Sequence, residues 1–430
     1  MRVSTNMIYQ QGVGSLQQQT SSLLKIQQQL ATGRRVLTPS DDPIASARTL
    51  ELRQSQAVNQ QFAQNMGYAN DNLGLLENGL TGIGDILQYT REKAVQAGNG
   101  SMNAEDLRLM ATDLRAQFDA LIAIGNSQDG QGNFIFSGYK ANTQPFSGTL
   151  AGVTYSGDQG DRTIQISASR YLPVSLPGVD VFDRTRRIDG NQVTDNDALY
   201  STAGRNNKGT AGALTVSLDA ASLPLDKANQ GRRYIATYEQ PDPAVAGTWR
   251  IQEVVPGVGR RDVNAAEDGL AFDAGPPQTA TFNGISIELP DDPPPTDASD
   301  PTALVDGDAF EVIVASTNTF DNYALFVSAL EDSTDVGVAG GVAFALENLD
   351  FALDTVLKAR TQVGSHMTEV EQLQSLGSDL DLQYATAISR LEDVDWTKAI
   401  SDLMQQQTYL QAAQQSFLRV SGLSLFNFLS

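Results

Sequence analysis

The chain has 430 residues, enough for two or three domains, and it carries a net charge of −22 with no cysteine. This charge argues against nucleic acid as a partner, because phosphate binding needs clustered Lys and Arg. The absence of cysteine excludes disulfides, thiolate metal sites and thiol nucleophiles. No apolar run is long enough to cross a bilayer, so we expect no membrane insertion.

The acidic residues are concentrated in the middle of the chain. Residues 173–315 contain 22 Asp and Glu against 11 Lys and Arg, whereas residues 1–60 contain six basic and three acidic side chains. An acidic, solvated middle with less charged ends is typical of a protein that exposes its centre and buries its termini among partners. The alternative explanation of the same composition is that the acidic residues only increase solubility.

Seven-residue apolar repeats mark both ends of the chain. Such a repeat keeps one narrow face of a helix apolar, and that face is stable only against another helix. The termini are therefore predicted to pair with helices of this chain or of neighbouring copies, which favours assembly over catalysis. The predicted interface residues are Tyr9, Leu16, Leu23, Leu30, Leu37, Trp396, Leu403, Leu410, Phe417, Leu425 and Phe426.

The first predicted helix runs from about Tyr9 to Ala31. A second begins after Ser40-Asp41-Asp42-Pro43, where an oxygen-bearing cap precedes a proline suited to the first helical turn. An apolar seam with alternating steps of four and three runs through it from Phe62 to Leu87. We interpret the glycines within this seam as points of close packing; they are Gly74, Gly79, Gly82 and Gly84.

A third helix is predicted from an Asn103 cap to Gly125, after which the apolar period changes to two. This period predicts short strands at Phe134–Ser137, Val153–Tyr155 and Thr163–Ile166. Residues 173–315 have the pattern of an all-β insertion with Gly- and Pro-rich turns. The helical pattern resumes near Phe320 and continues to the C-terminal repeats.

This order of elements predicts an α+β multidomain fold whose helical domains are built from both chain ends. Residues 1–42 with 391–430 are expected to form a terminal coiled-coil domain. Residues 43–172 with 316–390 are expected to form a helical bundle with a small β-hairpin region. Residues 173–315 are expected to form an inserted all-β outer domain.

Few residues are candidates for catalysis or metal binding. The carboxylate pair Asp41-Asp42 lies between Ser40 and Pro43, which favours a helix cap over a metal or acid–base site. His366 is the single histidine and is predicted to lie on a long helix, and Asp291-Asp292 lacks the spacing of a calcium loop. We therefore predict no catalytic, cofactor-binding or metal site.

Several segments resemble the flagellin family. The N-terminal signature matches between Leu30 and Pro43. Gly132–Gly138, Gly307–Val312 and the ending Leu423–Leu429 resemble the members of the family that join the hook to the filament. The signature residues carried over to this chain are Gly33, Arg34, Pro39, Ser40, Asp41, Asp42 and Pro43.

The resemblance implies a structural role in an extracellular tube at the hook–filament junction of the bacterial flagellum. The terminal helices would form the inner tube, the bundle the next shell, and the β insertion the surface. Export would use the flagellar type III channel without a cleavable signal peptide. The implied partners are further copies of the chain, hook-associated protein 1, flagellin and a flagellar export chaperone, with no cofactor.

Other functions remain open at this point. The chain could be a flagellin filament subunit, or a type III-secreted adhesin or translocator with coiled-coil ends. An enzyme within the β insertion is a further class, although the insertion shows no clustered polar residues. Ordered self-association through the terminal repeats would distinguish a structural subunit from an adhesin or translocator and from an enzyme.

Overall fold

The computed structural model describes residues 5–99, 102–183, 199–203, 214–218, 225, 229–241, 247–265, 267–268, 270–273, 278–289, 304–332 and 338–429. The chain divides into two compact units, residues 1–66 with 371–430 and residues 67–370. Both ends of the sequence therefore contribute to the first unit. Among the described residues, no helix is long and apolar enough to span a membrane.

Helices occupy the two ends of the chain, as predicted. The helix bounds are α1 Thr5–Thr32, α2 Pro43–Ala97, α3 Ala104–Gly125, α4 Gly178–Phe182, α5 Thr319–Glu331, α6 Ala339–Glu392 and α7 Trp396–Leu429. The strand bounds are β1 Phe146–Thr149, β2 Gly152–Tyr155, β3 Thr163–Gln165, β4 Tyr171–Pro173, β5 Leu199–Ala203, β6 Thr215–Leu218, β7 Arg232–Glu239, β8 Thr248–Val255, β9 Gly259–Asp262, β10 Ala271–Asp273, β11 Gln278–Phe282, β12 Ile285–Leu289 and β13 Ala309–Val314.

Both predicted helix caps are present. The Asp42 carboxylate accepts a hydrogen bond from the backbone N–H of Ala45 at 3.0 Å, and α2 begins at the next residue, Pro43. Asn103 accepts from the backbone N–H of Asp106, whose side chain accepts from the N–H of Asn103 in return. Each cap satisfies backbone donors that have no partner inside the helix.

The predicted seam of α2 is buried from Met66 to Leu87. Close packing explains two of its glycines. A Cβ on Gly79 would lie 3.3 Å from the Phe136 ring, and a Cβ on Gly82 would lie 3.1 Å from Ile124. Gly74 has nothing within 4 Å of this position, so close packing does not account for it.

One predicted strand is absent from the structure. Residues 134–137 form a single bridge, between Phe134 and Gln128, followed by a turn. The adjacent residues Ile135 and Phe136 are both buried. The segment therefore forms a bridge and a turn, and not the strand that the period of two predicted.

The insertion contains two antiparallel sheets in its described residues. Their strand orders are β5-β13-β7-β8-β9 and β10-β11-β12-β6, and separate hairpins pair β1 with β2 and β3 with β4. The apolar run 281–289 is divided between β11 and β12 by Asn283 and Gly284, with φ of 49° and 79°. Left-handed backbone at both positions, in an Asn-Gly pair, is typical of a two-residue hairpin turn. The Pro-rich segment 290–295 lies outside the described residues.

Strand β13 lies between β5 and β7, and all six of its side chains are buried. Its Glu311 carboxylate forms an ion pair with Arg233 of β7, which is itself fully buried. The same guanidinium bonds Asp332 at 2.6 Å and the hydroxyl of Ser328 at 3.2 Å, both at the end of α5. This ion cluster therefore connects the five-stranded sheet to a helix of the same unit.

Arg233→Met should lower the free energy of unfolding of this unit by about 3–5 kcal/mol, because it leaves the Glu311 carboxylate buried without a counter-charge. Urea unfolding followed by Trp249 fluorescence in a Trp396→Phe background measures this, since the chain has two tryptophans and Trp249 lies in β8. Arg250→Met, which removes an exposed pair with Asp262, is the control and should change stability by no more than about 1 kcal/mol. If both variants lost the same free energy of unfolding, the buried Arg233–Glu311 pair would not have the special role in stability assigned to it.

Candidate assembly interface

The two terminal helices pair with each other in an antiparallel arrangement. Near the start of α1, the Tyr9 ring lies 5.2 Å from the Phe417 ring of α7, measured between centroids. Near its end, a Cβ on Gly33 would lie 3.8 Å from the Trp396 ring. The partner of each terminal repeat within the single chain is therefore the other repeat.

The predicted interface residues lie mainly along this pair, where they are only half-buried. Tyr9 and Trp396, at opposite ends of the pair, remain 54% and 55% exposed. Leu37 lies outside α1, in the connection to α2. Leu425 and Phe426 belong to α7, and their side chains are outside the described part of the structure. The half-buried predicted residues are Leu16, Leu23, Leu30, Leu403, Leu410 and Phe417.

The seven-residue count found only half of the contact face. The buried face of α1 follows alternating steps of four and three, so it also includes residues that lie between the leucines. The same alternation of four and three residues predicted the seam of α2, and applied to α1 it includes the residues between the leucines. The additional half-buried residues are Gly12, Gln19, Ile26 and Gln406.

The connections that follow α1 and precede α7 are bound together by backbone hydrogen bonds. We call these segments, residues 33–42 and 391–395, the clasp. The N–H of Arg35 donates to the carbonyl of Glu392 at 2.6 Å, and the N–H of Val394 donates to the carbonyl of Gly33 at 2.9 Å. Gly33 has φ of 71°, a left-handed conformation that a residue without Cβ adopts without strain.

Ion pairs surround these backbone bonds. Lys25 contacts Asp41 at 2.6 Å, Arg35 contacts Asp42 at 3.2 Å, and Glu392 accepts from Arg53 at 2.5 Å. Arg34 lies 3.8 Å from the same Glu392 carboxylate. The basic partners are about half-exposed, so each pair contributes little stability by itself and mainly restricts the geometry.

The two aspartates of the family signature order the connection to α2. Asp41 accepts backbone hydrogen bonds from Leu37 and Thr38, at 3.1 and 2.9 Å. The hydrogen bond from Lys25, together with these backbone donors, holds the pKa of Asp41 far below its usual range. The pKa of Asp42 is lowered by the backbone N–H of Ala45 and then by Arg35. The resulting stabilisation is present above the unfolded pKa and is lost as the pH falls through the folded value.

The other signature residues lie in the same turn. The hydroxyls of Thr38 and Ser40 are 2.8 Å apart, and Pro39 between them is exposed. The signature from Gly33 to Pro43 therefore connects α1 to α2, and its first residues bond to residues 391–394. Its two carboxylates act in the clasp and the helix cap.

The residues considered for catalysis are not brought together. His366 lies on α6, where burial lowers its pKa, and its charged neighbours are Glu369, Arg170 and Asp161. Arg170 is already held by Glu369 through bonds of 2.7 and 2.8 Å. Across the described residues, no three His, Asp or Glu side chains are grouped as metal ligands. Asp291 and Asp292 lie outside those residues.

Gly33→Ala should weaken the clasp by about 1–2 kcal/mol, because alanine at this φ is strained. Amide hydrogen exchange at Arg35 and Val394 should accelerate by about 5- to 30-fold. Gly14→Ala is the matched control, since nothing lies within 4 Å of its Cβ position in α1 and alanine favours the helix. Unchanged exchange in the Gly33 variant would mean that its left-handed conformation is not needed.

Comparison with known proteins supports the signature. The model of the bacterial flagellin N-terminal helical region matches residues 3–141. Flagellar hook-associated protein 3 of Salmonella typhimurium is 28% identical over 99% of this chain and 99% of its own length. The protein of the same name from Escherichia coli is 29% identical over the same shares of both chains.

Other matches are more limited. Flagellin of Aquifex aeolicus is 25% identical over 60% of this chain and 49% of its own. A crystal structure of FlgL from Xanthomonas campestris aligns with 79% of this chain and 99% of that one, at 21% identity and a TM-score of 0.49. The full-length matches confirm the resemblance that the terminal motifs predicted: the chain is a structural protein of the flagellum, with a flagellin N-terminal helical region and similarity to hook-associated protein 3 along its whole length.

Proposed function

We propose that the chain forms the junction between hook and filament by helical self-assembly of its terminal helices. The observation that carries this proposal is the half-buried seam between α1 and α7. Two helices alone cannot cover their apolar faces, so the pair leaves hydrophobic side chains in contact with water. The exposed ones on the pair include Leu24, Trp396, Met404 and Leu418.

The proposed partners are neighbouring copies, hook-associated protein 1 on one side and flagellin on the other, with an export chaperone before assembly. Helices of neighbouring copies would cover the exposed side chains, as in any bundle of amphipathic helices. We further propose that the chain acts outside the cell after export through the flagellar channel without a cleavable signal, and that it catalyses no reaction.

The predicted three-layer arrangement is part of this proposal. Residues 1–42 with 391–430 would line the tube, residues 43–172 with 316–390 would surround it, and residues 173–315 would face outward. The acidic composition of the last segment suits a solvated surface. A flagellin role is less well supported, because the flagellin of Aquifex aeolicus matches only 60% of this chain.

A strain that lacks the gene should keep its hooks but release unpolymerised flagellin, and the wild-type gene should restore filaments. Leu410→Asp should fail to restore them, because it places a charge in the half-buried seam of α7. Gln411→Asp puts the same charge at the adjacent exposed position and should restore them. Electron microscopy and assay of secreted flagellin measure the result. Filaments restored by Leu410→Asp would show that this seam is not needed for assembly.

The β insertion should be dispensable for the junction if it is removed at the boundaries that the structure sets. Phe182 stacks on Phe320 with ring centroids 4.8 Å apart, so the segment up to Asp183 should be retained. Strand β13 needs its neighbours β5 and β7, so it should be removed with them. A Gly/Ser linker in place of residues 184–314 meets both conditions. Leu325 and Phe344, which pack against the sheet, would be changed to Ser in the same variant.

This variant should restore filaments in the deletion strain. An insertion can be removed from a bundle when the cut leaves the packing of the remaining residues intact. Replacement of residues 180–305 is the contrasting variant, because it removes Phe182 and leaves Glu311 without Arg233. It should fail to fold. Normal secretion of the 184–314 variant without filaments would show that the insertion carries assembly contacts.

A further inference from the structure

A small cavity lies where the helices α2, α5 and α6 meet, within the unit of residues 67–370. Its volume is about 10 Å³, which is room for one water molecule and for no larger ligand. Most of the residues that line it have polar side chains, and a cavity of this size holds a water only when polar groups face it. The polar ones are Thr90 on α2, Thr319, Asn322 and Tyr323 on α5, and Asn348 on α6.

Thr319 supplies an unsatisfied hydroxyl to this lining. The residue is only 4% exposed, and its hydroxyl oxygen is buried. That hydroxyl forms no hydrogen bond with any residue that the structure describes. A buried hydroxyl without a partner loses its hydration and gains nothing in return, so folded proteins rarely keep one. The hydroxyl therefore needs a partner that the adjoining cavity can hold.

Other groups in the lining are held in place and can accept a further hydrogen bond. The Tyr323 hydroxyl donates to the carbonyl of Leu114 at 3.0 Å, and the Thr90 hydroxyl lies 3.1 Å from the Tyr323 oxygen. A threonine oxygen has two acceptor lone pairs, so Thr90 can receive a proton while it donates its own. A water beside these groups would find both a donor, at Thr319, and an acceptor, at Thr90.

We propose that this cavity binds one water molecule, which joins Thr319 of α5 to the polar groups of α2 and α6. The water accepts the proton of the Thr319 hydroxyl and donates its own protons to neighbouring oxygens, including that of Thr90. It thus links helices that lie far apart in the sequence. The site belongs to the core of residues 67–370, so it does not depend on the proposed junction role.

A wet and a dry cavity predict opposite effects for Thr319→Val, which replaces the hydroxyl with a methyl group and keeps the branched shape. With a bound water, the substitution removes one hydrogen-bond partner and should raise the unfolding equilibrium constant about fivefold. In a dry cavity, it would remove an unsatisfied hydroxyl and leave this constant unchanged or lower. Urea unfolding followed by Trp249 fluorescence in the Trp396→Phe background measures the constant.

Thr361→Val is the matched control. Thr361 is exposed on α6, and its hydroxyl donates to the carbonyl of Leu357 at 2.8 Å. Its loss should change the unfolding constant by less than about twofold, because water can replace an exposed hydrogen bond.

Magnetic relaxation dispersion of the water oxygen counts the long-lived internal waters of the full-length chain. Thr319→Val should hold about one fewer than the wild type, and Thr361→Val should hold the same number. Ala345→Val is a second variant that adds two methyl groups at the cavity lining, and it should also lose about one water. It keeps the test decisive if Thr319→Val does not fold.

Two results would overturn the proposal. One is a wild-type number of internal waters in Thr319→Val or, if that variant does not fold, in Ala345→Val. The other is a folded Thr319→Val chain that is as stable as the wild type or more stable, since the hydroxyl would then have no bound partner to lose.

Discussion

The closure of the two chain ends on each other is the constraint on which the rest of the structure depends. Arg35 donates to the carbonyl of Leu391 at a sequence separation of 356, and Arg34 forms an antiparallel bridge with Asp393. The entropy of closing a loop grows only slowly with its length, so a long insertion between these points is tolerated. The chain can therefore carry a large β insertion while its ends remain paired.

The clasp combines backbone geometry with weak ionic contacts. Its backbone bonds need a glycine that accepts a left-handed conformation, and its aspartates need donors supplied by their own turn. The surrounding ion pairs are half-exposed and add little energy individually, yet together they restrict how the connection can bend. In this arrangement the two carboxylates of the signature accept hydrogen bonds from their own turn and form ion pairs with Lys25 and Arg35.

The β insertion is held by a different interaction. Arg233 and Glu311 are buried together between the sheet and α5, which is costly unless each charge keeps its partner. Apolar contacts of Leu325 and Phe344 belong to the same core. The insertion is thus packed into residues 67–370 and is not attached by its two connections alone. A boundary chosen from composition would cut through this core.

Periodicity by itself determined the helices, because apolar residues that recur every three to four positions over many turns lie on one face of a helix. The residue types at the helix starts determined the caps at Asp42 and Asn103, whose hydrogen bonds are local in sequence. Periodicity did not predict the structure of residues 134–137, where Ile135 and Phe136 are both buried in a turn. Nor did it locate Gln19 in the seam, since three consecutive glutamines look alike until one faces a neighbour.

The sequence therefore decided that the chain has amphipathic helical ends with a β-rich middle. Only the tertiary structure decided which residues of the two ends meet, that the signature closes on residues 391–394, and that a buried ion cluster connects the sheet to α5. The physical reason is that amphipathic period and capping are properties of neighbouring residues. Which surfaces meet depends on contacts between residues hundreds of positions apart, and these leave no periodic trace in the chain.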